Sequence, residues 1–352
     1  MMRLGSIQNV LSKCLLSVAL CLCYHATTTT AARLPVVVIT GASRGIGLAA
    51  TKQLAATLAF DVVVACRSKE RAEVALLSLP PQHRARVELV ELDLADFGSI
   101  NKFCQQWGKT RKIDALCLNA GVQFTDAKEV PRTRQGFEET IGVNHIGHWL
   151  LANLLLENVK QGGGGRIVWT ASGVHNPEEP GGNVGSKAGL GEMEGLRAGF
   201  LPPISMVNGQ EKYDGDKAYK DSKLCNVITT IEMARRLQKD GSSVTCNCFN
   251  PGLIPTTGLF RGLNPVFVAV FTVLTRYVFK VAVSEEVGGE RLVRMISDPV
   301  VGKTTGGYFS ANSPSSFNSF GPLTASTEAT DETVGRRLWD LTERVVLKAA
   351  QK

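Results

Sequence analysis

The sequence predicts an α/β fold: one doubly wound, parallel sheet with helices on both faces. Three observations carry this. Short apolar runs alternate with longer amphipathic stretches from Leu34 onward, the pattern of strand–helix–strand units with parallel strands. A glycine-rich turn, Gly41-Ala42-Ser43-Arg44-Gly45-Ile46-Gly47, separates the first apolar run from the first amphipathic stretch. Polar motifs then recur just after later apolar runs, at the carboxyl ends of strands, where sheets of this type gather ligands.

Taken in order, Val36–Thr40 is the first strand and Ile46–Leu58 the first helix. Asp61–Cys66 is the second strand, Lys69–Ser78 the second helix and Val87–Glu91 the third strand. Ala115–Leu118, Ile167–Thr170 and Val244–Phe249 follow as strands four to six, with long helical patterns over Phe137–Glu157 and Ala218–Leu237. This is a Rossmann-type arrangement of about seven strands in the order 3-2-1-4-5-6-7. No internal repeat or second domain is evident, and residues 33–352 are expected to form one domain. Two stretches break the rhythm. Gly173 to Lys217 is rich in Gly and Pro, and its length marks it as functional rather than as a simple connection. Asn250 to Val283 begins with prolines and continues as an apolar run from Pro265, with Arg276 and Lys280 beyond it. That run reads either as a core helix or as a lid or membrane-touching helix.

Residues 1–32 stand apart. They contain Arg3 and Lys13 and no acid, an apolar stretch from Leu11 to Cys23, and four threonines at Thr27–Thr30. This is the composition of a targeting segment, secretory or plastid-directed, and the apolar part is short for a membrane span. The whole chain of 352 residues is 44% hydrophobic with a net charge of +7. It can fill a core, and the charge suits an anionic cofactor or membrane surface. No basic run with interleaved aromatics points to nucleic acid. Nine cysteines occur without any Cys-x-x-Cys, so free thiols in a reducing compartment are expected, with no metal site. Cys246 and Cys248 should share one face of the sixth strand, with Asn247 opposite.

Gly41, Ser43, Arg44, Gly45, Ile46 and Gly47 form a turn whose glycines allow close approach of a pyrophosphate to a helix N-terminus. After the second strand, where an NAD site places an acid, the chain has Arg67, with Lys69 close behind. Guanidiniums at Arg44 and Arg67 suit a 2′-phosphate, so the expected cofactor is NADPH. Asp93 and Leu94 fall after the third strand, suited to the adenine; Asn119, Ala120 and Gly121 follow the fourth; Pro251 and Gly252 follow the sixth. Tyr219 and Lys223 lie four apart on a helical pattern, hence on one face. An ammonium beside a phenol lowers its pKa and fits it for proton transfer.

These motifs, in this order and over residues 35–350, resemble the short-chain dehydrogenase/reductase family. The resemblance implies a tetrad of Asn144, Ser172, Tyr219 and Lys223. Ser172 would orient substrate, Lys223 would hold the ribose and tune Tyr219, and Asn144 would anchor a relay water. Within the family, the strings Ala218–Asn226, Thr256–Arg261 and Asn144–His148, and the pieces Gly182-Asn183-Val184, Lys187-Ala188 and Leu190-Gly191, are similar to the light-dependent protochlorophyllide reductase branch. That likeness implies NADPH reduction of protochlorophyllide to chlorophyllide, with a photon making the ring D carbon electrophilic. It also implies a plastid location, peripheral thylakoid or envelope contact and self-association. Leu253 departs from the branch, which carries cysteine after the Pro-Gly, as does Gly185-Ser186 where two prolines are usual. Two alternatives stay open: a dark carbonyl or retinol-type dehydrogenase, and a pigment-binding protein without turnover.

Overall fold

β1 (Val36–Thr40) is buried on both faces along its whole length, as its unbroken β-branched run requires of an inner parallel strand. The sheet around it has the order β3-β2-β1-β4-β5-β6-β7-β8. Its members are β2 (Asp61–Cys66), β3 (Val87–Glu91), β4 (Ala115–Leu118), β5 (Arg166–Thr170), β6 (Thr245–Phe249), β7 (Tyr308–Ala311) and β8 (Phe320–Leu323). The first seven are parallel and follow the expected order. β8 is an addition: it pairs antiparallel to β7, with Phe309 opposite Pro322. Pro322 leaves no N–H to offer and confines this strand to the edge; with a Gly-Pro pair in four residues, the sequence pattern gave β8 no strand signal.

This computed structural model describes residues 33–255, 272–273, 275, 282–311 and 320–351. The segment 1–32, the string Thr256–Arg261, and the apolar run from Pro265 apart from Thr272 and Val273 lie outside the described residues, as do Arg276 and Lys280.

Strand residues alternate between two cores. Val38, Val63, Leu116, Ile167, Trp169, Cys246 and Cys248 face one core, and Val37, Ile39, Val62, Cys117, Val168 and Phe249 the other. Cys246 and Cys248 therefore share a face, and Asn247 points away, donating to Thr304 O at 2.7 Å. The six described cysteines are free thiols.

Helices cover both faces: α1 (Gly45–Thr57), α2 (Lys69–Leu76), α3 (Phe97–Trp107), α4 (His148–Leu154), α5 (Leu156–Lys160), α6 (Gly215–Lys239), α7 (Glu285–Ser297) and α8 (Glu332–Ala350). α1 and α7 touch closely enough that a Cβ on Gly289 would lie 2.7 Å from Ala49 Cβ and 2.8 Å from Ala50 N. α6 packs on the opposite core through Leu224, Val227 and Ile228.

The helical pattern Phe137–Glu157 is not one helix. A short turn at Glu139–Ile141 leads into a π-helical segment, Gly142–Gly147, and then into α4. The Glu138 carboxylate caps the start, accepting from Thr140 N at 2.8 Å and Ile141 N at 2.9 Å. A Cβ on Gly147 would sit 2.4 Å from Leu94 O, so the widened turn runs against the loop after β3. Such π-turns recur at functional sites.

The Gly173–Lys217 stretch is bound to the body. Leu190, Met193, Leu196, Phe200 and Val207 join the core on the α6 side. Lys217 Nζ donates to both Asp221 oxygens at 2.9 Å and to Gly189 O at 2.8 Å. Lys220 Nζ donates to Ser186 O at 2.7 Å and to Val184 O. Gly185-Ser186 is thus held down: the Ser186 hydroxyl also donates to Asp214.

Candidate active site

A cleft of about 960 Å³ opens at the carboxyl ends of the strands. One end is the glycine turn. Gly41 (φ +67°) and Gly45 (φ +59°) occupy the left-handed region that side chains avoid. A Cβ on Gly41 would meet Ala120 Cα at 2.7 Å, and one on Gly47 would meet Asn119 Nδ2 at 2.7 Å. The turn and the Asn119-Ala120 segment are therefore fitted to each other. Thr40 Oγ1 joins them further, accepting from Asn119 N at 2.8 Å and Ala120 N at 2.9 Å.

Gly41, Ser43, Arg44, Gly45, Ile46, Arg67, Asp93, Leu94, Asn119, Ala120, Gly121, Ser172, Tyr219, Lys223, Pro251 and Gly252 all line this cleft. Gly47 and Asn144 are not among the lining residues: Gly47 packs beneath the turn, and Asn144 is fully buried. Asn144 Oδ1 accepts from Val122 N at 2.8 Å, and its Nδ2 donates to Val122 O and Ser222 Oγ, each at 3.0 Å. Its side chain ties the loop after β4 to α6.

At the end of β2, Arg67, Ser68 and Arg71 line the cleft, and no carboxylate does. Arg71, in the first turn of α2, joins Arg67 there, and Lys69 does not. This basic end and the glycine cradle fit a phosphorylated dinucleotide.

α6 carries Tyr219 and Lys223. Its N-cap Asp214 accepts from Lys217 N at 3.0 Å, which fixes the helix start just before Tyr219. Ser172 lies beside the Tyr219 phenol and favours its ionised form. Burial raises its pKa above the ordinary phenol value and outweighs the pull from Ser172. The lowering expected from Lys223 is not realised in this state. Lys223 is 3% exposed, donates to Thr170 O at 2.9 Å, and is itself pushed down to about 8 by burial. Its Nζ lies 5.5 Å from the Tyr219 ring centre. The phenol is thus a proton-bearing acid beside an amine that loses charge easily.

The Pro251-Gly252 loop is held from below. Buried Arg291 donates to Pro251 O at 2.7 Å, and Gly252 (φ +98°) leaves room for that guanidinium. Leu253 follows into the cleft and presents only hydrocarbon. His145, His148 and Tyr308 are buried and absent from the lining; His148 instead lies beneath it, within hydrogen-bond distance of Thr40 Oγ1 and Asn144 O. The pattern-based reading missed Glu179, Ser310 and Leu323, which line the far end. They come from the insertion and from β7 and β8, where no motif flagged them.

Residues 35–194 match the family of the short chain dehydrogenases. The chain is 40% identical over 317 residues to protochlorophyllide reductase A of Oryza sativa subsp. japonica, covering 88% of this chain and 80% of the relative. It is 39% identical to the protochlorophyllide reductase of Chlamydomonas reinhardtii, over 88% of this chain and 77% of the relative. Among solved structures, an uncharacterized protein from Mycobacterium paratuberculosis superposes with a TM-score of 0.64 at 26% identity, covering 89% of this chain and 96% of that one. The Pseudomonas aeruginosa RhlG–NADP complex superposes at 0.57 with 16% identity, over 79% of this chain and 94% of that one, a likeness of fold. Fold, cleft and sequence identity converge: the chain belongs to the short-chain dehydrogenase family, with protochlorophyllide reductases among its relatives.

Proposed function

We propose that this protein is an NADPH-dependent, light-driven protochlorophyllide reductase of the plastid. The observation that carries this is 40% identity to a protochlorophyllide reductase along 88% of the chain. It spans both the α6 centre and the insertion that covers it. The cleft volume of about 960 Å³ lies at the upper end of the range of about 300–1,000 Å³ for small-molecule sites, as cofactor and pigment together require.

When bound, NADPH supplies the hydride. The glycine turn seats its pyrophosphate at the start of α1, and Arg44, Arg67 and Arg71 favour the 2′-phosphate. Lys223 holds the ribose and lends positive charge near Tyr219. Ser172 orients the pigment, and Tyr219, protonated by burial, donates to the ring D carbon. Leu253, Val174 and Leu323 exclude water from the reacting face. Residues 1–32 act as a plastid-targeting segment ahead of a single catalytic domain, 33–352. The relatives' names include "chloroplastic", which supports the plastid. Peripheral contact with an anionic thylakoid or envelope surface agrees with the charge of +7; no helix among the described residues is long and apolar enough to cross a membrane. Self-association of the pigment-loaded protein completes the proposal.

The test is the absorbance spectrum of the purified protein with NADPH and protochlorophyllide, first in darkness and then illuminated. Chlorophyllide forming only in light supports the proposal. Bound but unchanged pigment would instead indicate a pigment carrier, and dark NADPH oxidation with a retinal-type aldehyde a carbonyl reductase.

A further inference from the structure

We propose that Ser310 and Asn250 form a second polar subsite of this cleft, donating hydrogen bonds to a neutral carbonyl oxygen of the substrate, a ketone or an ester. This role rests on the proposed reading of the site and adds to it where the pigment is held away from its reacting carbons.

Sheet topology sets the place. Ser172 follows β5, and Ser310 lies in β7, two strands further on, or about 10 Å at the usual strand spacing. From β1 and its glycine turn, β7 is four strands away, about 19 Å. Along β7, Tyr308 joins the core on the α6 side and Phe309 joins the other. Ser310 therefore faces the α6 side, where Tyr219 stands. Both Ser310 and Asn250 line the cleft.

The two side chains are set as donors. Asn250 Oδ1 accepts from Gly252 N at 3.0 Å, which fixes the amide, and Asn250 Nδ2 donates to Ser310 Oγ at 3.1 Å. Among the described residues, no hydrogen bond takes the Ser310 hydroxyl proton or the second amide proton of Asn250. Ser310 is only 4% exposed, and a buried donor left unmade is costly until a ligand acceptor meets it. Behind the pair, Ser310 and Asn250 lie near enough to the Tyr308 oxygen to favour its ionised form. That phenol nonetheless has no hydrogen-bond partner, so it does not take the Ser310 proton.

Charge selects the kind of acceptor. The cations of the described lining are Arg44, Arg67, Arg71 and Lys223, and none belongs to β6, β7 or the loops after them. The acid Glu179 flanks the same spot: a Cβ on Gly173 would lie 2.8 Å from Glu179 Oε2 and 3.2 Å from Asn250 Nδ2. An ionised ligand carboxylate would meet no counter-charge here, whereas a neutral carbonyl meets two donors. The walls beside them are apolar, through Val174, Leu253 and Leu323, and a few placed polar groups in an apolar pocket fix orientation. Protochlorophyllide carries a ketone and a methyl ester on its fifth ring. A flat ring gripped only near ring D could turn in its own plane; a second grip at the fifth ring stops this and decides which double bond meets the nicotinamide.

The experiment compares wild type, Ser310→Ala and Ser310→Thr, each as the whole protein with NADPH and protochlorophyllide in darkness, by fluorescence titration and infrared difference spectra. The wild-type complex should show a ketone or ester C=O stretch at lower frequency than the free pigment in an aprotic solvent. The two carbonyls absorb separately, so the band that moves identifies the one held. In Ser310→Ala that band should move back up and the pigment Kd should rise about three- to tenfold, with the NADPH Kd within about twofold of wild type. Ser310→Thr, which keeps the hydroxyl, should keep the low-frequency band. Unchanged carbonyl bands in Ser310→Ala would overturn the inference, with or without a loss of affinity, and so would a shift confined to the pigment's propionate. If wild type itself binds no pigment, the proposed function fails first and this inference falls with it.

Discussion

His148 Nε2 lies 2.8 Å from Thr40 Oγ1, and its Nδ1 lies 3.1 Å from Asn144 O. Burial holds this imidazole down at about 3, so it is neutral, and its single proton sits on Nδ1 facing the carbonyl. Nε2 must then accept the Thr40 hydroxyl proton. That leaves the Thr40 oxygen to receive the Asn119 and Ala120 amides. A core histidine thereby sets the direction of a hydroxyl that shapes the cofactor loop.

His148→Phe should free the Thr40 hydroxyl to turn toward Cys117 O, its alternative acceptor at 3.3 Å. The loop then loses about 1 kcal/mol of order. We expect KM for NADPH to rise several-fold with kcat less affected, and His148→Gln to restore part of the loss. Initial-rate kinetics check this; unchanged KM in the Phe variant would contradict it.

Lys223 makes an opposite trade between stability and function. Its folded pKa of about 8 lies below the free lysine value, so the folded state disfavours its charge. For a depressed lysine, the contribution to stability is full above the unfolded pKa and is lost as pH falls through about 8. At pH 7 Lys223 therefore opposes folding, by on the order of 2–3 kcal/mol. Lys223→Met should be more stable than wild type at pH 7, with the gain shrinking toward pH 10, and should lose most NADPH affinity. Denaturant titrations at the two pH values, with cofactor binding by fluorescence, decide this.

Much of the site was legible because it obeys local rules. Gly41, Gly45, Arg67, Asn119, Tyr219 and Lys223 sit at strand ends or at helical spacing, and parallel topology alone brings such positions together. Glu179 and Ser310 were illegible because long-range folding, not spacing, delivers them to the cleft. The π-turn at Gly142–Gly147 hid because its residues keep a helical apolar pattern, and the deviation answers to close contact with Leu94. The string around Tyr219 proved to have two tasks. Tyr219 and Lys223 face the cleft, while Lys217, Lys220 and Asp221 grip the insertion.

That grip predicts a phenotype away from the chemistry. Asp221 is wholly buried, and its removal leaves Lys217 with only the Gly189 and Lys187 carbonyls and no counter-charge. Asp221→Ala should cost roughly 3 kcal/mol and speed hydrogen exchange over residues 184–190, with β1 to β4 less affected. Uniform exchange in variant and wild type would show that the insertion is held by its apolar contacts instead.

The basic end of the cleft predicts cofactor choice. Replacing both Arg67 and Arg71 by Ala should raise KM for NADPH at least tenfold, about 1.4 kcal/mol, while KM for NADH moves less than threefold. Steady-state kinetics with each nucleotide check it. A double variant that still prefers NADPH strongly would remove these side chains from the account.

The central claim is that light drives a hydride from the cofactor into the pigment held beside Tyr219. The most direct measurement follows deuterium from NADPH labelled at nicotinamide C4 into protochlorophyllide, by mass spectrometry, in matched dark and illuminated samples. The account predicts one deuterium per chlorophyllide in the illuminated sample, none in darkness, and a strongly reduced yield in Tyr219→Phe. Label transfer in darkness, or illumination without any label in the pigment, would contradict it.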